Sequence, residues 1–202
     1  MAVIGRPAAF LDKDGTLVED VPYGADPARL RLLPGVGEAL RLLGLAGLRL
    51  IVVTNQAGVA MGRFPEARLG GIEAGLRGLL RAEGVELDGF LWCPHHPEGT
   101  VPSYAVACDC RKPRPGLLRR AAMRYRVDLR RSWAVGDILD DVEAGHLAGC
   151  RAALVDTGGE TEWRIGPERE PDLIAKDLLE AARAIVFRAR PAHPAVARGG
   201  AA

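Results

Sequence analysis

Lysine is nearly missing from this chain. Of 27 basic residues, Lys13, Lys112 and Lys176 are the only lysines, in a sequence that otherwise places arginine wherever it needs positive charge, so a lysine here is a candidate for a specific task. Aromatic residues are also scarce at 5%, and the formal net charge is +1, which removes the broad basic, ring-bearing surface expected of a nucleic-acid-binding protein. No apolar run approaches the roughly 20 residues of a membrane span. Residues 1–11 are interrupted by Gly5, Arg6 and Pro7 and carry no secretory-signal pattern. A cytoplasmic protein with no membrane or nucleic-acid partner is therefore expected. No internal repeat or long linker divides the 202 residues, which suit one domain over 1–189 and a monomer. The segment 190–202, made largely of Pro, Ala, Gly and Arg, is expected to be a disordered tail.

What is present alternates short apolar runs with longer helical patterns, the sequence form of repeated βα units. The patterning predicts strands over 8–11, 48–53, 89–92, 132–135 and 151–155, and helices over 36–47, 65–83, 115–126, 139–148 and 177–188. Continuous apolar strands separated by helices imply an α/β fold with a doubly wound, Rossmann-like parallel sheet covered on both faces. Ligands in such sheets bind beyond the carboxyl ends of the strands. The arginines of residues 111–131 are expected to form a solvated helix face flanking an anion site.

Four short segments fall at that edge. Asp12-Lys13-Asp14-Gly15-Thr16 follows the first strand and can turn two carboxylates into one crevice while Gly15 lets the backbone bend. An EF-hand needs its glycine later and a glutamate at the twelfth position, where this chain has Tyr23. Thr54-Asn55 ends the second strand, Lys112 precedes a helix, and Gly136-Asp137 ends another strand ahead of Asp140-Asp141. Together they supply a nucleophile, a hydroxyl donor, a fixed cation and carboxylates for magnesium, the set that phosphoryl transfer requires because its barrier lies in gathering negative charge. Cys93, Cys108 and Cys110, with His95 or His96, complete a tetrahedral thiolate-imidazole set for zinc that leaves no open position, so that site reads as structural. Cys150, in a small-residue stretch, reads as a buried structural thiol, and His146 and His193 as structural or inert.

The four segments resemble the motifs of the haloacid dehalogenase superfamily of phosphatases, over about residues 9–157. The resemblance implies that Asp12 forms an aspartyl-phosphate and that Asp14 acts as acid and then base. It also implies that Thr54 and Lys112 hold the phosphoryl group, and that Asp12, Asp137 and the Asp14 carbonyl bind Mg2+ with Asp141 in support. Cys93-Pro94-His95-His96-Pro97-Glu98-Gly99, then Cys108-Asp109-Cys110-Arg111-Lys112-Pro113-Arg114-Pro115-Gly116, is similar to the heptose 1,7-bisphosphate 7-phosphatases. Their histidinol-phosphate phosphatase relatives have a shorter loop; the twelve residues between His95 and Cys108, and the run 54–60, favour the heptose branch. That likeness implies a small phosphorylated sugar as substrate, Zn2+ at Cys93, His95, Cys108 and Cys110, and no separate cap domain. Substrate selection then falls to short loops, with Asn55, Gln56 and Arg111 as contacts. Met61-Gly62-Arg63-Phe64 and Ile138 depart from the branch's usual residues. A phospho-acceptor signalling module shares the acidic strand ends, but Asp14 two residues after the nucleophile argues for turnover.

Overall fold

A computed structural model describes residues 5–189. Six parallel strands form one sheet in the order β3-β2-β1-β4-β5-β6. They are β1 (Ala8–Leu11), β2 (Arg49–Asn55), β3 (Gly89–Cys93), β4 (Trp133–Gly136), β5 (Arg151–Val155) and β6 (Leu173–Ala175). The chain winds outward from β1 to β3, then returns to the far side of β1 with β4. The strand order therefore reverses between β1 and β4, where an open parallel sheet presents its ligand crevice.

The two faces of β1 show how the pattern builds two cores. Ala9 and Leu11 pack into a cluster with side chains of α1 (Val36–Leu45), α2 (Arg68–Ala82) and α5 (Leu178–Ala189). Ala8 and Phe10 point the other way, into a cluster shared with α3 (Gly116–Tyr125) and α4 (Leu139–Ala148). Cys93 and Cys110 belong to that second core, and Cys150 is buried there too. Burial, then the charge of Asp128, pushes the Cys150 thiol up to about 12, as suits an inert structural cysteine.

Several boundaries differ from the sequence reading for identifiable reasons. The helix expected from residue 65 starts at Arg68, because the Arg68 and Leu69 amides bond three residues back, to the Pro65 and Glu66 carbonyls. The Glu66 carboxylate there accepts from Trp92 Nε1 (3.0 Å) and Tyr104 Oη (2.8 Å). The helix α1 stops at Leu45 because Gly47, at φ 87°, turns the chain so that the Leu48 amide reaches the Leu43 carbonyl. The edge strand β6 has no counterpart in the sequence patterning, because it has three residues, one of them exposed, and follows a polar stretch that lacks periodicity. No insertion interrupts the sheet with a separate cap. The expected tail, 190–202, and His193 lie outside the described residues. No helix among the described residues is long and apolar enough to cross a membrane.

Candidate active site

The first strand delivers Asp12 into the reversal point, where its amide donates to the Val135 carbonyl (2.9 Å) and ties the β1 end to β4. The chain then turns back, with the Leu17 and Val18 amides bonded to the Lys13 carbonyl. Gly15 makes this turn at φ 74°, and a Cβ there would stand 2.2 Å from an Asp137 carboxylate oxygen, so both conformation and space demand glycine. Thr16 Oγ1 donates to the other oxygen of Asp137 (3.2 Å).

Asp12, Asp137 and Asp141 each offer a carboxylate oxygen, all within 4.8 Å of one another. Lys112 stands among them, fully enclosed. Its Nζ donates to Asp12 Oδ1 (2.5 Å), to Asp141 Oδ1 and to the Val53 carbonyl (3.0 Å). Burial would drain its proton, but the Asp12 and then the Asp141 charge overcome this and hold Lys112 above the ordinary lysine range. Burial, and next the charges of Asp12 and Asp141, push the Asp137 carboxyl up to about 8. Burial pushes Asp141 up to about 6 although Lys112 opposes it. Asp141 Oδ2 is buried without a hydrogen-bond partner among the described residues. A dense set of hard oxygen donors with one orphaned oxygen lacks positive charge, and it fits a magnesium ion.

Asp14 is the carboxylate of this group that keeps access to solvent, with 30% of its side chain exposed. It lies apart from the three-carboxylate cluster. Lys13 Nζ contacts Asp14 Oδ1, and Gln56 Nε2 donates to Asp14 Oδ2 (2.9 Å). Burial raises the Asp14 pKa despite the opposing charge of Lys13. The same Gln56 amide donates to Thr54 Oγ1 (3.0 Å), which leaves the buried threonine hydroxyl its own proton to give. Asn55 does something the sequence reading did not anticipate. Both ends of its amide are spent on the Lys112 backbone, Nδ2 to the carbonyl (3.1 Å) and Oδ1 from the amide (3.0 Å). It is a clamp on Lys112, with one Nδ2 hydrogen left over. The scarcity of lysine is informative here: Lys13 and Lys112 stand at the carboxylates, and Lys176 is exposed.

Beside this cluster sits a second one. Cys93, His95, Cys108 and Cys110 bring their ligand atoms together, with sulfur–sulfur separations of 3.2 to 3.6 Å and His95 Nδ1 at 3.3 and 3.7 Å from two of them. A tetrahedral zinc with bonds of roughly 2.3 Å to sulfur has ligand–ligand edges of about 3.8 Å, so only a small expansion separates this set from a closed site. Of the two histidines it is His95 that joins the cysteines, while His96 Nδ1 accepts from the Glu98 amide (3.2 Å). The sulfur–sulfur contact of Cys110 with Cys93 lowers the Cys110 thiol and raises that of Cys93. Cys110 is followed by Arg111 and Lys112. Cys93 is the register partner of Asn55 across β2 and β3, so the two clusters share a backbone. Arg111 donates weakly to the His95 carbonyl (3.5 Å) and lines a cleft with Lys112, His96 and Asp140.

A HAD-hydrolase-like family model matches residues 109–181. The D-glycero-beta-D-manno-heptose-1,7-bisphosphate 7-phosphatase of Escherichia coli K12 is 37% identical, over 93% of this chain and 97% of that protein. Its counterpart in Rhodopseudomonas palustris is 42% identical, over 71% and 80% respectively. The chain belongs to this phosphatase family. Among solved structures, a HAD-like phosphatase from Mesorhizobium loti superposes with a TM-score of 0.79 at 33% identity, covering 96% of this chain and 99% of that one. The D,D-heptose 1,7-bisphosphate phosphatase of B. bronchiseptica, complexed with magnesium and phosphate, superposes at 0.72 with 32% identity, over 90% and 99%. Family membership makes the chain a magnesium-dependent phosphatase of the HAD class with an aspartate nucleophile.

The short loops at this edge, residues 19–23, residues 55–64 and the cysteine loop, are tied together. Arg63 stacks over Tyr23 at 5.2 Å, joining the first two, and the Ala60 carbonyl accepts from the Thr100 and Val101 amides, joining the second to the cysteine loop. Arg63, one of the departures from the family's usual residues, thus has a partner. Nothing in the structure explains Ile138, which precedes α4 without a side-chain cap. The Leu139 amide there is capped instead by Glu160 Oε2 (2.7 Å).

Proposed function

We propose that the chain removes the 7-phosphate of D-glycero-D-manno-heptose 1,7-bisphosphate through an aspartyl-phosphate on Asp12. The observation that carries this reading is the placement of Lys112, held between Asp12 and Asp141 and two residues from a thiol of the Cys93-His95-Cys108-Cys110 set. Lys112 binds Asp12 Oδ1 and leaves the second oxygen to attack phosphorus. As that bond forms, the ester bond to the sugar oxygen breaks, and Asp14 gives its proton to the departing alkoxide. The raised pKa of Asp14 favours the protonated form this step needs. Asp14, now a carboxylate, takes a proton from water, whose oxygen attacks the phosphorus and releases Asp12. Thr54 donates to a phosphoryl oxygen, and Gln56 holds Thr54 and Asp14 in mutual register. Magnesium, held by Asp12, Asp137 and the Asp14 carbonyl with Asp141 in support, supplies charge neutralisation at the phosphate oxygens. Cys93, His95, Cys108 and Cys110 would hold a zinc ion, which would brace the loop that carries Arg111 and Lys112.

Arg111 meets the second phosphate at the rim. One charge-assisted contact is worth roughly 1.5–3 kcal/mol, about one to two powers of ten. Specificity constants for phosphate release should therefore favour heptose 1,7-bisphosphate over heptose 7-phosphate and histidinol phosphate by at least about tenfold, and Arg111→Ala should narrow that gap. Histidinol phosphate as the best substrate, or an equal loss on all three in Arg111→Ala, would overturn the heptose assignment and leave the phosphatase.

A further inference from the structure

The opposite pole of the sheet carries a second concentration of charge that the phosphatase chemistry does not use. Trp133 begins β4, four residues before Asp137, so at about 3.3 Å per residue it lies ~13 Å from the catalytic edge. Around it opens a cleft of about 250 Å³ lined by Arg130, Arg131, Arg151 and Arg188 over an apolar floor that includes Ile185. No carboxylate lines it. The Arg151 guanidinium stacks on the Trp133 ring at 4.4 Å and that of Arg188 lies 5.9 Å away.

Unpaired surface arginines are ordinary; this group differs in two respects. First, the four converge on one cleft in a protein of formal net charge +1, and no carboxylate lines it, although Asp172 outside the lining feels the Arg151 charge. Among the described residues, the side chains of Arg130, Arg131 and Arg151 make no hydrogen bond or ion pair, and Arg188 donates once, to the Asp172 carbonyl (2.8 Å). The nearby acids are engaged elsewhere: Asp128 accepts from the Arg130 amide, and Asp172 from His146 and Ala152. Second, Trp133 is 1% exposed, yet its indole N–H has no acceptor among the described residues. Guanidinium and indole groups are donors only, so Arg130, Arg131, Arg151 and Trp133 carry donors with no acceptor among the described residues. An anion supplies acceptors and compensating charge at once.

We propose that this cleft binds a small polyphosphate anion, one bearing at least two linked phosphates. Four arginines exceed what a single phosphate can satisfy, and the forked guanidinium geometry matches phosphate oxygens. Recognition is confined to phosphate, because Arg151 already covers the only aromatic ring in the cleft.

The test is calorimetric titration of inorganic tripolyphosphate into the full chain without added magnesium. The catalytic edge, where Lys13, Lys112 and Arg111 gather, is the other place that could hold the probe, and the arginine substitutions that follow separate it from this cleft. One site is expected. It should weaken at least about tenfold in the Arg130→Gln/Arg131→Gln variant, which removes two charge-assisted contacts, and persist in Asp12→Asn. Both arginines are exposed, so circular dichroism and melting temperature should match the parent chain. Absence of binding, equal binding in the double variant, or loss of binding in Asp12→Asn would overturn the proposal. Adenosine triphosphate binding tenfold tighter than tripolyphosphate would overturn the phosphate-only recognition.

Discussion

The oxygen cluster around Lys112 and the sulfur cluster around Cys110 are centred two residues apart along the chain, yet they are opposites. In the first, like charges are packed together, one oxygen of Asp141 is left without a partner, and neighbouring Asp14 opens to solvent. In the second, every ligand atom faces another and two of the cysteines belong to a hydrophobic core. An arrangement in deficit is one that can take up a metal, a phosphate and a transferred proton. An arrangement that closes on itself can only hold shape. The contrast teaches that chemistry and rigidity in this fold are assigned to separate donor sets, coupled through Asn55 and the Cys110-Arg111-Lys112 backbone.

The comparison breaks most sharply at Asp12. Asp12→Asn keeps the volume but cannot form the acyl-phosphate, so phosphate release should fall by at least ~10³-fold, about 4 kcal/mol of barrier, while the melting temperature holds. Activity within tenfold of the parent would remove Asp12 as nucleophile. Cys110→Ser should do the reverse first: zinc content drops from about one per chain, stability falls by about 3 kcal/mol, and the midpoint drops by roughly 6–12 °C. Lost activity should follow because Lys112 is no longer fixed. Metal analysis and a thermal melt on the same sample decide this, and full stability without zinc would dissolve the distinction between the two clusters.

Asn55→Ala tests the coupling itself. Zinc should stay bound while kcat falls by roughly 10- to 100-fold, because a displacement of about 1 Å at a phosphate-binding group is that costly. An unchanged kcat with a raised KM would instead return Asn55 to the substrate-contact role expected from its position. The smallest effect is on pH. Asp137 and Asp141 hold their protons more tightly in the folded state, at about 8 and 6, than in the unfolded chain. Between about pH 4 and 8 the folded state therefore binds more protons, and the stability of the magnesium-free protein should fall as pH rises through that window. Melting curves at pH 5.5 and 8.5 should differ by a few degrees, with added magnesium restoring the loss at the higher pH.

Much of this was legible in the residues because the chemistry sits at strand ends. Once β1, β2 and β4 are placed, Asp12, Thr54 and Asp137 must share an edge, and spacing alone gathers the three cysteines. What could not be read is which partner each polar group chooses. His95 and His96 are equivalent in sequence and are separated only by the turn that commits His96 to Glu98. Asn55 looked like a substrate contact because it follows Thr54, but the strand register puts it against Cys93 and hands its amide to Lys112. The strand β6 was hidden because three residues carry no period, and pairing with β5 creates it.

The glycines around the carboxylates have a consequence for how mutations would be tolerated. A methyl group at Gly15 or Gly159 would fall within about 2.2 Å of an Asp137 oxygen, and one at Gly136 would stand 2.1 Å from Asp141. In a saturation scan scored by growth or turnover, these three positions should reject even alanine as firmly as the aspartates reject asparagine. They bring no side chain to the chemistry. Their contribution is vacant volume, and an inventory of functional side chains would overlook residues on which the site's shape depends.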